Sequence, residues 1–374
     1  MGWTKEISGV ASVGKSTKQL LRTIKPKQIA VIRHENIDEM AANGLIEAKV
    51  KAVINASLTM NGRYPACGAD ILLKADIPIF EIAEVDFEHF HHGDPIKISE
   101  LAIVTPAGEV AYRRFTRERW KRMNALAQQN LGSELSDFID NTLTYAQKEK
   151  DFVIDDLQLP YIKTSMLGRH VVVVVRGSGY KKDLIALNDY IQDYRPVLIG
   201  VDGGADALLE NGFQPDLIVG DMDSVSDQAL KCGAELLVHA YADGEAPGLH
   251  RIHKLGLEAA TIPAKGTSED IAMLLAFQKK AELIVTLGAH THMIDFLEKG
   301  RKGMASTLLV RMKIGNKLVD AKGVSKLYHR PVKMRNLWYL PVAALFPLAM
   351  LGYIHPGFRH FLDMIRIYIK LSLS

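Results

Sequence analysis

The stretch His170 to Val175, HVVVVV, carries five apolar residues in a row without alternation, the pattern of a strand buried on both faces. A polar helix-forming segment, KKDLIALNDYI, follows it, then a second apolar run, VLIGV, at 197–201. The alternation continues through DLIV and ELLV, each separated by a helical stretch. Strand–helix repetition at this period predicts a doubly wound parallel sheet over residues 165–328. Upstream the runs are shorter. QIAVI at 28–32 and AVI at 52–54 flank the helical stretch IDEMAANGLIEAKV, and a Gly/Pro/Asn-rich turn, NGRYPACGAD, leads to another helix and a strand around Ile79. From Asp94 onward apolar and polar positions alternate around Pro106-Ala107-Gly108, a hairpin signal. Residues 1–115 are therefore expected to form a small α/β domain, although MGWTKEIS offers no buried strand. Residues 116–164 read as a helical connector with a break at Gly132-Ser133. Its stripe of Trp120, Met123, Leu126 and Ala127 recurs at helical spacing, which suits a core face or the contact of a homodimer.

Near the C-terminus the pattern changes again. Residues 337–354, LWYLPVAALFPLAMLGYI, contain no charge, and as a helix they would reach about 27 Å, close to a hydrocarbon core of about 30 Å. Trp338, Tyr339 and Tyr353 stand where interfacial anchors would, and Lys326, Arg330, Lys333 and Arg335 precede the segment. The expectation is a single transmembrane helix in the cell membrane, with the bulk of the chain cytoplasmic. A buried terminal hairpin is the alternative. The tail 355–374 mixes apolar residues with Arg366 and Lys370 and reads as an amphipathic helix or a short strand.

Composition adds limits. The 374 residues are 48% apolar and 24% charged, with a net charge of +3, so no nucleic-acid partner is indicated. Cys67 and Cys232 lack the spacing of a zinc site or a disulfide framework, which fits a reducing compartment, and no signal-peptide core opens the chain.

Candidate chemistry concentrates in VDGGADALLENGFQPDLIVGDMDSVSD. Asp202-Gly203-Gly204 directly follows one strand and Asp221-Met222-Asp223-Ser224 the next. Ligands of open α/β sheets bind at the carboxyl ends of strands, so Asp202, Asp221 and Asp223 are expected along one edge, as ligands of Mg²⁺. Helix caps and turns are the structural alternative for such aspartates. Arg176-Gly177-Ser178-Gly179 follows the first long strand and can bind a phosphate. Lys265, Ser268, Glu269 and Asp270 open a later helix and add a cation and carboxylates, with Ser268 equally readable as an N-cap.

These loops carry a resemblance. DGGA at 202–205, Pro215-Asp216, Gly220 to Ser224 and the segment 265–270 are similar to the catalytic domain of thiamin pyrophosphokinases. The resemblance implies that Asp202, Asp221 and Asp223 hold Mg²⁺ and that Arg176, Gly177, Asp202, Gly203, Gly204, Ser224, Lys265, Ser268, Glu269 and Asp270 contact ATP or another nucleotide. The family's Lys-x-x-Thr-Asp element is altered here, and its thiamin-site motif, Gly-Gly-Arg-x-Asp-His, is replaced by Leu287 to His292. The first domain loosely resembles the swivelling β/α domains of phosphoenolpyruvate-using enzymes, without their histidine. Over nearly the whole length the chain resembles the SteA-like septation proteins. That likeness rests on Gly62 to Pro65, Arg176-Gly177 with Tyr180-Lys181, the two aspartate loops, Arg301 to Thr307, Leu318 to Ser325 and the apolar C-terminal segment. It implies a membrane-bound protein of cell division or cell separation that works with a membrane partner protein.

Two further motifs are discounted. Gly9 to Ser16 fits G-x-x-x-x-G-K-[ST], but a phosphate loop needs a preceding buried strand, which MGWTKEIS does not predict. His290 and His292 lack a third ligand at useful spacing. Three functional classes stay open: a regulatory domain that binds a nucleotide or phosphorylated small molecule, an active phosphotransferase, and a scaffold with a vestigial acidic edge.

Overall fold

A computed structural model describes residues 6–177, 179–289, 292–327, 339–354 and 356–372. The chain divides into two compact units, residues 1–325 and 326–374.

The larger unit holds two sheets. The first is mixed and contains β1 (Ile7–Gly14), β2 (Ile29–Ile32), β3 (Ala52–Asn55), β4 (Ile79–Glu81), β5 (Pro95–Ile98), β6 (Ile103–Thr105), β7 (Gly108–Val110) and β8 (Arg113–Phe115), in the order β7-β6-β5-β1-β2-β3-β4-β8. β1 to β4 run parallel and the rest antiparallel. The hairpin expected around Pro106 is present, with Thr105 facing Gly108. One expectation fails at the start. The segment from Ile7 is a strand in the middle of the sheet, because pairing with both β2 and β5 compensates for its weak apolar pattern. Only Ala11 and Ser12 along it are fully buried.

The helix Arg117–Ile154 runs unbroken for 38 residues, about 57 Å. The break expected at Gly132-Ser133 does not occur. A mid-helix glycine costs only about 1 kcal/mol, and contacts flank the site: Asn130 donates to the carbonyl of Gly62 at 2.9 Å, and Glu134 pairs with Arg63 at 2.8 Å. Trp120, Met123 and Ala127 pack on the core of the first sheet, while Leu126 stays exposed.

The second sheet is parallel throughout, in the order β13-β12-β11-β10-β9-β14-β15. Its strands are β9 (His170–Val175), β10 (Val197–Val201), β11 (Leu217–Gly220), β12 (Glu235–Ala240), β13 (Ala260–Pro263), β14 (Leu283–Leu287) and β15 (Leu318–Asp320). Val171 to Val175 are buried, as a strand covered on both faces requires. The order reverses between β9 and β14, so the loops after these two strands diverge from a topological switch point.

The smaller unit contains the helix Tyr339–Ile354 and the helix Pro356–Ser372, which contact each other. The first is uncharged and exposes Leu345, Phe346, Leu348 and Met350; the second is amphipathic. Residues 337 and 338 of the predicted membrane span, and the basic residues 330, 333 and 335 before it, lie outside the described residues. Among the described residues no helix is long and apolar enough to cross a membrane. The 16 residues of the uncharged helix reach only about 24 Å.

Candidate functional site

The carboxyl ends of β9 to β13 open onto a cavity of about 1720 Å³. Its floor is built by backbone placed too close for side chains. A Cβ on Gly177 would lie 1.9 Å from the carbonyl oxygen of Gly288, so the loops after β9 and β14 touch at the switch point. A Cβ on Gly204 would meet the carbonyl of Val174 at the same distance, which seats the helix Gly204–Glu210 against β9.

Asp202 ends β10 with φ of 47°, a left-handed conformation that aspartate tolerates better than most residues. This turns its carboxylate toward β11, where Oδ1 accepts a hydrogen bond from the Asp221 amide at 3.1 Å. Gly220 makes that approach possible, since a Cβ there would stand 1.9 Å from Asp202 Oδ1. Asp221 Oδ1 in turn accepts from the Asp223 amide at 2.9 Å, closing a tight turn around the buried Met222, whose φ is 67°. Burial, and after it the neighbouring Asp221 carboxylate, push Asp202 up to about 7. Lys18 opposes the shift.

The expected three-carboxylate centre is corrected by this geometry. Asp202, Asp221 and Asp223 all line the cavity, with the left-handed Met222 between the last two. Among the described residues no three His, Cys, Asp or Glu side chains gather into a metal-binding group. The Asp202–Asp221 pair nevertheless suits Mg²⁺. Burial first and the Asp221 carboxylate second disfavour charge on Asp202, a cost that a bound cation would offset, and Mg²⁺ commonly takes one or two carboxylates and completes its shell with water and phosphate oxygens.

The other predicted residues separate into two groups. Arg176, Gly177, Gly203, Ser224, Lys265, Ser268 and Glu269 line the same cavity. Arg176 reaches it while paired to Glu210 at 2.7 Å and bonded to the Tyr180 hydroxyl at 3.2 Å. Gly204 lies beneath the floor, and Asp270 is withdrawn altogether. Fully buried, Asp270 completes a capping box with Thr267, whose amide it accepts at 3.1 Å, and it also accepts from the Thr307 hydroxyl at 3.2 Å. Thr267, and not Ser268, is the N-cap, because its hydroxyl accepts the Asp270 amide at 3.1 Å. Ser268 instead contacts Nδ1 of His239 at 3.2 Å. His292 caps the helix Met293–Glu298 through Nδ1; Ser178, His290 and Thr291 lie outside the described residues.

Sequence reasoning missed two contributions. His239, near the end of β12, lines the cavity and was recognisable as a polar residue following the buried Leu236-Leu237-Val238. The first domain supplies the opposite wall. Lys18 donates to the Ser224 hydroxyl, and the Arg22 guanidinium donates to the Asp223 carbonyl at 2.7 Å. No local pattern announces a contact across some two hundred residues.

Comparison with known proteins accords with this construction. Residues 189–295 match the thiamin pyrophosphokinase catalytic domain, and residues 322–371 match the SteA-like C-terminal domain. A curated relative, the 6-hydroxymethyl-7,8-dihydropterin pyrophosphokinase of Methanocaldococcus jannaschii, is 31% identical over 86 residues, 22% of this chain. The chain spans about a third of that relative's length, 36%. Among solved structures, thiamine pyrophosphokinase from Bacillus subtilis is 22% identical, with coverage of 40% of this chain and 60% of that one and a TM-score of 0.26. The 3-isopropylmalate dehydratase LeuD of Methanocaldococcus jannaschii is 12% identical, with coverage of 33% and 98% and a TM-score of 0.23. The chain thus joins a region similar to the thiamin pyrophosphokinase catalytic domain to one similar to the SteA-like C-terminal domain.

Proposed function

We propose that the cavity binds a nucleotide or another phosphorylated small molecule together with Mg²⁺, and that the chain uses this binding as a regulatory signal in cell division or cell separation at a membrane. The observation that carries the ligand reading is the Asp202–Asp221 pair, held at adjacent strand ends by the space at Gly220, in a cavity that Lys265 and Arg176 also line. Carboxylates supply a metal with hard donors, and the cations neutralise phosphate. Mg²⁺, when bound, supplies charge neutralisation on phosphate oxygens. The chain's own residues orient the ligand and close the floor beneath it.

The altered residues at 287–292 favour binding over turnover of thiamin. The second reading is an active pyrophosphokinase, favoured by the match to a 6-hydroxymethyl-7,8-dihydropterin pyrophosphokinase. Membrane attachment is supported by the pairing of an uncharged apolar helix with an amphipathic one carrying Arg359, Arg366 and Lys370. Such a pair can enter the interface and bury apolar faces without a full crossing. The division role rests on the SteA-like C-terminal match.

Calorimetry of the detergent-solubilised full chain with ATP and Mg²⁺ tests the central claim. Binding should weaken at least tenfold in Asp221→Asn, and equal affinity in that variant would refute the metal-site assignment. Isotope-labelled ATP with thiamin or a hydroxymethylpterin distinguishes binding from transfer. Vesicle flotation of the full chain, lost on deletion of residues 337–374, tests the anchor.

A further inference from the structure

The wall facing the aspartates comes from the first domain, and its chemistry is unlike that of a structural contact. The corner where β1 ends and the short helix Thr17–Leu20 begins presents Lys15 and Lys18 to the cavity, with Arg22 one turn on. This is the Gly14-Lys15-Ser16 sequence discounted above. The strand it lacked in the sequence reading exists, but Gly9 to Gly14 are that strand, so they form no loop that can wrap a phosphate. What remains is a fixed corner. A Cβ on Gly14 would press on Leu20 at 2.8 Å, and the buried Thr17 hydroxyl is held by Nδ1 of His34 at 2.9 Å. Two exposed lysines therefore stand on rigid backbone.

Charge and size both ask for a ligand there. Among the described residues, ten cationic side chains line the cavity against seven carboxylates, two of which are the Asp202–Asp221 pair. The side chains of Lys15, Lys265 and Arg301 have no hydrogen-bond or ion-pair partner among the described residues. The volume exceeds the roughly 300–1,000 Å³ that one drug-sized ligand fills.

We propose that the corner formed by Lys15 and Lys18 is a second phosphate-binding half-site, which closes the cavity opposite Asp202 and Asp221. The proposal rests on the nucleotide reading above and assigns to the first domain the ligand contacts that the replaced 287–292 motif does not provide. The phosphate it holds belongs either to the far end of the nucleotide's polyphosphate or to a separate phosphorylated molecule. In both cases the ligand bridges the two sheets and reinforces the contacts of Lys18 with Ser224 and of Arg22 with the Asp223 carbonyl.

Calorimetry on the full chain in detergent with excess Mg²⁺ tests this with two probes, a non-hydrolysable ATP analogue and inorganic tripolyphosphate. The variants are Lys15→Ala, which removes a side chain without a protein partner, and Lys15→Ala with Lys18→Ala. If the corner holds the nucleotide's own phosphates, the variants lose affinity for the analogue, about threefold and tenfold respectively. If it holds a separate molecule, the nucleotide-saturated wild type binds tripolyphosphate and the variants lose that binding to the same extent. Unchanged affinity for both probes in the double variant overturns the half-site while leaving the nucleotide reading intact. A wild type that binds no Mg²⁺-nucleotide defeats the nucleotide reading itself.

Discussion

Gly220→Ala is the most direct test of how the aspartate pair is built. The new Cβ would sit 1.9 Å from Asp202 Oδ1 and 2.6 Å from its Cγ, against an ordinary contact of about 3.4 Å. The carboxylate must retreat by more than an ångström, which breaks its 3.1 Å bond from the Asp221 amide. Overpacking costs about 1–3 kcal/mol, and a lost bond to a charged group about 1.5–3 kcal/mol. Relief of crowding between the two carboxylates offsets part of this, leaving a net loss of about 2–4 kcal/mol. At about 2–4 °C per kcal/mol for a domain the size of residues 165–328, that domain's melting temperature should fall by roughly 4–16 °C. Gly212→Ala is the control. Its φ is 78°, but nothing lies within 4 Å of the added carbon, so only backbone strain of about 1 kcal/mol is expected. Scanning calorimetry gives the stabilities, and titration with Mg²⁺-nucleotide should show at least a tenfold loss in the Gly220 variant alone. If the two variants lose equal stability and both bind as wild type, the close approach of Asp202 to β11 is irrelevant to the site.

Two further predictions concern groups outside the pair. Burial first, then Asp38 and Asp295, push Glu298 up to about 7, while Cys67 and Glu39 also face it. A carboxyl whose folded pKa is raised loses stability as pH climbs from its unfolded value near 4.5 to about 7, because the unfolded chain releases the proton first. Glu298→Gln should therefore match wild type near pH 4.5 and exceed it at pH 8 by about 1–2 kcal/mol, the full shift being reduced by solvent screening; parallel stability curves from pH 4.5 to 8 would refute this. Asp270→Ala removes the capping box and orphans the Thr307 hydroxyl, costing about 2–3 kcal/mol in denaturant unfolding, with nucleotide affinity of the folded protein changed less than twofold. A tenfold affinity loss at full stability would return Asp270 to the ligand set.

Elements with a strong period of their own were legible in the sequence. HVVVVV and VLIGV announce strands covered on both faces, and the recurring helices between such runs allow little but a parallel sheet. The strand from Ile7 was hidden because its side chains gain burial from neighbours on both sides and not from its own composition. Gly132-Ser133 misled for the complementary reason, since contacts at Asn130 and Glu134 from the 60–63 turn hold a helix that local propensity alone would let fray.

The same distinction separates the two walls of the cavity. Asp202 and Asp221 are readable because each ends its own strand, and adjacent parallel strands place their carboxyl ends side by side whatever else the chain does. Asp223 shows how far that rule reaches. It stands two positions past Asp221, beyond the left-handed Met222, and among the described residues no three such side chains gather into a metal-binding group. Lys18 and Arg22 obey no such rule, because their partners belong to the second domain and their meeting is a property of how the two sheets pack. A cavity whose carboxylate side is written in strand ends and whose cationic side depends on packing is assembled only when both sheets are in place.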